Sequence, residues 1–158
     1  MKNKVLCFTG HRNLNLAQLA EIRQRLKTAI LNAYNDGYRF YISGMAQGFD
    51  LMAADEVLKF KLGKLKDIKL VAAIPHDGQE RRYSLQDKKL YQHIINNADK
   101  VVFVNHYYYK GCYLERDMWM LRHSTLIIAY YDINKYKGGT FYTVKRAERT
   151  NKQIINIF

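Results

Sequence analysis

Segments with two different hydrophobic periods alternate along this chain. Short apolar runs rich in strand-forming residues are each followed by a longer stretch whose apolar residues recur every three or four positions, which is the helical period. Strands are predicted at 4–9, 39–42, 69–74, 100–104, 124–131 and 153–157, and helices at 16–36, 48–62, 85–97, 114–123 and 138–149. This alternation predicts an α/β fold, with a parallel sheet and helices on both of its faces.

The length and composition of the chain are those of one globular domain. It has 158 residues, of which 48% are hydrophobic and 25% are charged. A chain of this size can build its own core and bury roughly 70% of the surface that its unfolded state exposes. Because no linker, repeat or low-complexity segment interrupts it, we expect a single domain over residues 1–158.

The charge balance points to an anionic partner. The chain carries 26 Lys and Arg residues against 14 Asp and Glu residues, a formal net charge of +12 at pH 7. Such a balance suggests a nucleotide, a nucleic acid or an acidic surface as partner, although a basic protein without any of these stays an alternative. The excess is spread along the chain instead of being held in a tail, which argues against a basic arm that wraps DNA.

Several function classes lack the sequence features they require. Two cysteines, Cys7 and Cys112, are too few for a disulfide framework, and no Cys or His cluster has zinc-ligand spacing. The apolar run 5–8 is too short for a signal-peptide core, and no apolar stretch approaches the ~18 residues of a membrane span. We therefore expect a soluble cytoplasmic protein with reduced thiols, no metal, no cofactor and no membrane partner.

Glycines, small hydroxyl side chains and charged residues cluster where the predicted strands end. Ligands of open parallel sheets bind beyond the carboxyl ends of the strands. The glycine segments also lead into helix N-termini, where free backbone N–H groups and the helix dipole favour a phosphate. The candidate ligand-binding residues are Gly10, His11, Arg12, Ser43, Gly44, Gly48, Asp50, Gly138, Gly139, Thr140 and Thr143. Because neither a GxGxxG fingerprint nor a Walker A loop is present, each segment taken singly could also be an ordinary turn.

Five segments together resemble the SLOG superfamily, whose members include the YpsA-like proteins, the DNA-processing protein DprA and the LOG nucleotide hydrolases. In family order they are FTGHR (8–12), SGMAQGFDLMAAD (43–55), IPHDGQE (74–80), YLERDMWML (113–121) and GGTFYTVKRA (138–147). The resemblance spans essentially the whole chain, and it is strongest to the small stand-alone YpsA-like branch.

The resemblance implies a Rossmann-like fold and a nucleotide or nucleotide-derived ligand, such as a nucleotide sugar or ADP-ribose. It implies ligand loops at 10–12 and 43–50, a phosphate held at 138–140, and a site lined by Arg116. Because LOG and DprA relatives commonly self-associate, a homo-oligomer is also expected by analogy.

The sequence leaves open whether the protein is an enzyme. The LOG hydrolases carry a catalytic glutamate in a PGGxGTxxE motif, whereas here no glutamate follows Gly139-Thr140 before Glu148. A nucleoside-phosphate N-glycosidase or ribosyltransferase needs a carboxylate near the anomeric carbon, because positive charge builds on the ribose in the transition state. Asp50 and Arg116 are the catalytic candidates, and Asp50 could instead be the N-cap of the second helix.

Two further carboxylates and one aromatic run have alternative interpretations. Asp55 is one helical turn before Lys59, which favours an ion pair over catalysis. Asp117 could pair with the neighbouring Arg116 or point away from it. The run 107–110, three tyrosines and a lysine, could stack on a base or simply pack. The leading hypothesis is a nucleotide-binding protein, which could act as a sensor; the alternatives are a LOG-type N-glycosidase and single-stranded nucleic-acid binding like that of DprA.

Overall fold

The computed structural model describes residues 4–158, and along them strands and helices alternate as the hydrophobic periods predict. Six strands and five α-helices are formed by these residues. The strands are β1 (Lys4–Gly10), β2 (Tyr38–Ser43), β3 (Lys69–Ile74), β4 (Lys100–Phe103), β5 (Leu126–Tyr130) and β6 (Gln153–Asn156). The helices are α1 (Leu19–Asn35), α2 (Phe49–Leu62), α3 (Leu85–Asn97), α4 (Cys112–Arg122) and α5 (Gly139–Arg149).

All the strands pair in parallel in one sheet of order β4-β3-β2-β1-β5-β6. The chain starts in the middle of the sheet, runs outward through β2, β3 and β4, and then returns to place β5 on the other side of β1. The connections that leave β1 and β5 therefore diverge, and this topological switch point opens a crevice at the carboxyl ends of the two strands. The predicted α/β, Rossmann-like fold is confirmed.

Alternate residues of each inner strand pack into two separate cores. In β1, Leu6 and Phe8 belong to the core that α1, α2 and α3 cover, while Cys7 belongs to the core under α4 and α5. In β5, Ile128 and Ile127 divide in the same way. Burial on both faces explains why these strands read as continuous apolar runs in the sequence.

The structure differs from the sequence prediction mainly where loops enter helices. Residues Leu16–Gln18 form a 3₁₀ turn before α1, and the Asn15 side chain caps this turn by accepting from the Ala17 N–H at 3.0 Å. A second 3₁₀ turn, Gln79–Arg82, precedes α3 and was not predicted. None of the helices formed by residues 4–158 has the length and apolarity that a membrane crossing requires.

Candidate functional site

A cavity of about 430 Å³ lies at the carboxyl ends of β1 and β5, and we call it the switch-point cavity. Most of the predicted site residues line it. Those residues are Gly10, His11, Arg12, Asp50, Arg116, Gly138, Gly139 and Thr140. Thr9, Ala46, Tyr113, Asp117 and Lys137 complete its wall. Segments far apart in the sequence therefore meet at one place, as parallel strands ending at a common edge require.

Two glycines allow α2 to begin against the end of β1. A Cβ on Gly10 would lie 2.4 Å from the ring of Phe49, so only glycine permits this approach. Gly48 has φ +82°, and a Cβ there would lie 2.2 Å from the carbonyl oxygen of Arg12. The Phe49 N–H then donates to the His11 carbonyl at 3.2 Å. Gly48 thus holds the loop that presents Arg12 to the cavity and does not itself line it.

Asp50 lies in the first turn of α2 and faces the floor of the cavity. The helix N-cap is Gly48, so the N-cap interpretation of Asp50 is wrong. Asp50 is only 7% exposed, and its Oδ1 has no hydrogen-bond partner among residues 4–158. Burial raises its pKa to about 7; the nearby Arg116 charge opposes this rise, and the Asp117 charge adds to it. An acid with this pKa changes charge near neutral pH.

Arg116 brings a buried positive charge beside that carboxyl group. It is 4% exposed, its Nε donates to Asp117 Oδ1 at 2.7 Å, and its Nη1 donates to the Gly44 carbonyl. Of the two arrangements that the sequence left open for Asp117, the structure has the ion pair with Arg116. Asp50, the partly buried Asp117 and Arg116 thus form a cluster with two carboxyl groups for one guanidinium, and the pKa of Asp50 is high because its burial outweighs the Arg116 charge.

The N-terminus of α5 forms the opposite wall of the cavity. Gly138 is its N-cap, and the first N–H groups of the helix, from Gly139 onward, have no partner within the helix. Thr140 lines the cavity beside them, and the exposed side chains of Arg12 and Lys137 add positive charge. Backbone donors, a helix dipole and two cations together favour a phosphate group at this wall.

Thr143 does not line the cavity but fixes its geometry. Its Oγ1 lies 2.8 Å from the Gly139 carbonyl and 3.3 Å from Asp117 Oδ2, and it can donate to either. Because the side chain is buried, this hydroxyl ties α4 to the first turn of α5.

Ser43 and Gly44 also act inside the loop that they form. Ser43 is fully buried; its Oγ donates to the Asp50 carbonyl at 2.9 Å and accepts from the Met45 N–H at 3.2 Å. The Gly44 carbonyl accepts from Arg116. These contacts orient the first turn of α2 and the guanidinium, and neither residue belongs to the cavity wall.

His11 reaches the cavity with a ring that is already engaged. Its Nε2 accepts from the backbone N–H of Asp132 at 2.8 Å, which requires an unprotonated Nε2. Burial lowers the pKa of His11, the Lys135 charge lowers it further, and the Asp132 charge opposes both. The geometry favours a neutral ring that anchors the loop after β5.

Asp55 lies outside the cavity. Its carboxylate pairs with Lys59 at 3.3 Å, as the sequence spacing predicts, and with Arg23 at 3.2 Å. Within residues 4–158, no group of three His, Cys, Asp or Glu side chains is placed to hold a metal ion.

Tyr113 is the main wall residue that sequence reasoning missed. Its ring lies 5.6 Å from the guanidinium carbon of Arg12 and 5.8 Å from that of Arg116. Its hydroxyl lies 3.1 Å from His76 Nε2. Two sequence signals could have indicated it: it opens the segment YLERDMWML, and it lies three residues before Arg116, almost one helical turn.

Comparison with known proteins agrees with this architecture. A sequence model of the YpsA family, described as the YspA SLOG family, matches residues 6–157. The chain is 25% identical to a UPF0398 protein of Staphylococcus saprophyticus, with 94% of this chain and 85% of the relative covered. It is 24% identical to a UPF0398 protein of Bacillus pumilus, over 92% of this chain and 82% of that protein. Because the family match covers almost the whole sheet and every segment of the cavity, the chain belongs to the YpsA SLOG family.

Proposed function

We propose that the switch-point cavity binds a nucleotide or a nucleotide-derived ligand. The phosphate would lie at the N-terminus of α5, beside Arg12 and Lys137, and the ribose would lie over Asp50. The single observation that carries this proposal is the buried, unpartnered Oδ1 of Asp50, a residue that lines the cavity.

A buried carboxylate oxygen without a donor is unfavourable, by about 1–3 kcal/mol or more for a charged group. A ribose hydroxyl is a donor of the right kind, and acidic side chains bind ribose hydroxyls in other dinucleotide-binding sheets. A ligand that joins a hydroxyl-bearing sugar to a phosphate satisfies both walls of this cavity at once.

A second candidate function rests on the pKa of Asp50, which lies at about 7. A carboxyl group with such a pKa can give a proton to a leaving base or, once ionised, stabilise positive charge on the ribose. In an N-glycosidase reaction the bond from the anomeric carbon to the base nitrogen breaks. Water then supplies the new C–O bond, and its proton passes to the carboxylate or to solvent. Asp50 would act in this step, and the nearby Arg116 charge would favour its ionised form.

The test of binding uses two variants at one position. Gly139→Asp places a negative charge where the phosphate would lie, while Gly139→Ala is a matched control because a Cβ there lies 3.8 Å from the nearest atom, Asp117 Oδ2. We expect calorimetry with nucleoside monophosphates and ADP-ribose to show binding by the wild type and the alanine variant. We expect the aspartate variant to lose at least about tenfold in affinity. Absence of binding across the panel, or equal binding by the aspartate variant, would contradict the proposal.

The enzyme candidate needs a separate measurement. Chromatography of nucleoside monophosphates after long incubation with concentrated protein should show free base, and Asp50→Asn should abolish its release. If the protein binds the nucleotide but the nucleotide is intact after such incubation, the enzyme candidate is rejected and the binding function remains.

A further inference from the structure

A second and larger cavity, of about 810 Å³, lies beside the switch-point cavity. We call it the arginine–tyrosine cavity. It is lined by Arg12, Gln47, His76, Asp77, Gly78, Gln79, Arg81, Arg82, Tyr83, His106, Tyr107, Tyr108 and Tyr113. Arg12 and Tyr113 line both cavities, so the two spaces meet across these side chains.

The shared wall has a fixed position. The hydroxyl of Tyr113 lies 3.1 Å from His76 Nε2, and His76 Nδ1 lies 2.8 Å from the Asp77 carbonyl, to which it can donate. His76 is 9% exposed, so this chain of contacts is held inside the fold. The ring of Tyr113 therefore lies between the two cavities, and the guanidinium carbon of Arg12 lies 5.6 Å from the centre of this ring.

The far wall is also anchored to the loops of the switch-point cavity. Tyr83 donates its hydroxyl to the Met45 carbonyl at 2.9 Å, and Gln79 Nε2 donates to the Gly44 carbonyl at 2.9 Å. The 3₁₀ turn that carries Arg81 and Arg82 is thus held by the same loop that positions Asp50. The same loop therefore supports both cavities.

The chemistry of the arginine–tyrosine cavity is cationic and aromatic. Arg12, Arg81 and Arg82 contribute positive charge, whereas its one acidic side chain, Asp77, already lies 3.1 Å from His106 Nδ1. An anion that carries a planar ring matches such a surface, because arginines pair with phosphate and tyrosine rings stack on bases.

Two large rings at its rim are open to solvent. Tyr107 is 80% exposed and Tyr108 is 68% exposed, and the ring of Tyr108 meets His76 edge-on at 5.4 Å. Exposed aromatic rings grouped beside arginines mark surfaces that a ligand covers. This rim therefore offers two exposed rings on which a base can stack.

We propose that the two cavities bind one dinucleotide-class ligand, which has two nucleoside units joined through phosphate. This inference rests on the proposed function. One unit would occupy the switch-point cavity, the linking phosphates would lie against Arg12, and the second base would stack on Tyr108 between Arg81 and Arg82. A mononucleotide would leave the arginine–tyrosine cavity unfilled.

The test compares AMP, ADP and diadenosine diphosphate by calorimetry, with the guanine series in parallel. We expect diadenosine diphosphate to bind at least about tenfold more tightly than AMP and ADP. Tyr108→Ala and Arg82→Ala, both at exposed positions, should remove this advantage without changing the AMP affinity. Arg149→Ala, which removes the same charge at the far end of α5, should change neither.

The outcomes separate this inference from the proposed function. Equal affinities for AMP and diadenosine diphosphate would overturn the dinucleotide proposal while leaving nucleotide binding in place. An equal loss of affinity for both ligands in Tyr108→Ala would have the same consequence. If no nucleotide binds, both proposals fail. A 5′-phosphorylated 3′–5′ diadenylate distinguishes the linkage, since preference for it over the pyrophosphate identifies an oligonucleotide end. Binding of long single-stranded DNA alone, unaffected by Gly139→Asp, would also overturn the proposal.

Discussion

Replacing Asp50 by asparagine should stabilise the protein at high pH. The carboxyl group is buried and its Oδ1 has no partner within residues 4–158, so its ionised form is poorly solvated. Asparagine has nearly the same shape and carries no charge. The substitution therefore removes the cost of ionising this group while keeping the packing of the first turn of α2.

The magnitude follows from the pKa of Asp50, which is raised from an ordinary 3.8 to about 7. Between these values the folded protein holds a proton that the unfolded chain has released, so the wild type loses stability as pH rises through this window. At about 1.36 kcal/mol per pKa unit, the loss has an upper limit of roughly 4 kcal/mol above pH 7. Relaxation around the charge reduces it, so we expect Asp50→Asn to gain at least about 1 kcal/mol at pH 8.

Urea denaturation of both proteins from about pH 4 to pH 8 measures this gain as a function of pH. The difference in unfolding free energy should be near zero at the acid end and should grow toward neutrality. Asp55→Asn is the matched control in the same helix, because Asp55 is paired with Arg23 and Lys59 and its removal should not stabilise the protein at any pH. A pH-independent difference, or a less stable Asp50→Asn at pH 8, would refute the reasoning and indicate a fully compensated ion pair with Arg116.

Three further predictions concern the supports of the site. Gly48→Ala should destabilise the protein by about 2 kcal/mol or more, because its φ is +82° and its Cβ would meet the Arg12 carbonyl; an unchanged urea midpoint would contradict this. Arg116→Leu should cost about 3–5 kcal/mol by leaving Asp117 without its partner, and adding D50N should recover part of the loss in a double-mutant cycle. His11→Phe should weaken the pH dependence of the unfolding free energy below about pH 6.5. Because the pKa of His11 is lowered in the folded protein, the unfolded chain binds a proton first as pH falls, and the wild type loses stability. Equal slopes of urea midpoint against pH for the two proteins would contradict this prediction.

The sequence predicts the fold well because the signals are local. β3 and β5 are continuous apolar runs, and the stripe on α1 matches its buried face. The glycine loops could be placed at one edge because parallel strands end together. The strand order could not be predicted in this way, because the hydrophobic period alone does not determine on which side of β1 the later strands are added.

The surroundings of the site residues, which the sequence does not show, depend on that order. Asp50 comes two residues after Gly48, near the start of an apolar helix, where the sequence also allows an N-cap. Only the packing of α4 against the cavity makes it a buried acid beside Arg116. The arginine–tyrosine cavity combines residues from the loops that follow β1, β2, β3 and β4 with Tyr113 of α4. No local sequence pattern predicts this combination, because it depends on the order β4-β3-β2-β1 in the folded sheet.

Three unusual features share this one edge of the sheet. They are the unpartnered carboxyl oxygen of Asp50, the left-handed backbone at Gly48 and the exposed rings of Tyr107 and Tyr108. Poorly satisfied groups and exposed rings persist in folded proteins where function requires them. A sugar hydroxyl would supply the donor that Asp50 lacks, and a second base would cover the tyrosine rings. The turn at Gly48 places Arg12 between these two groups, so the proposed two-part ligand would contact all three features together.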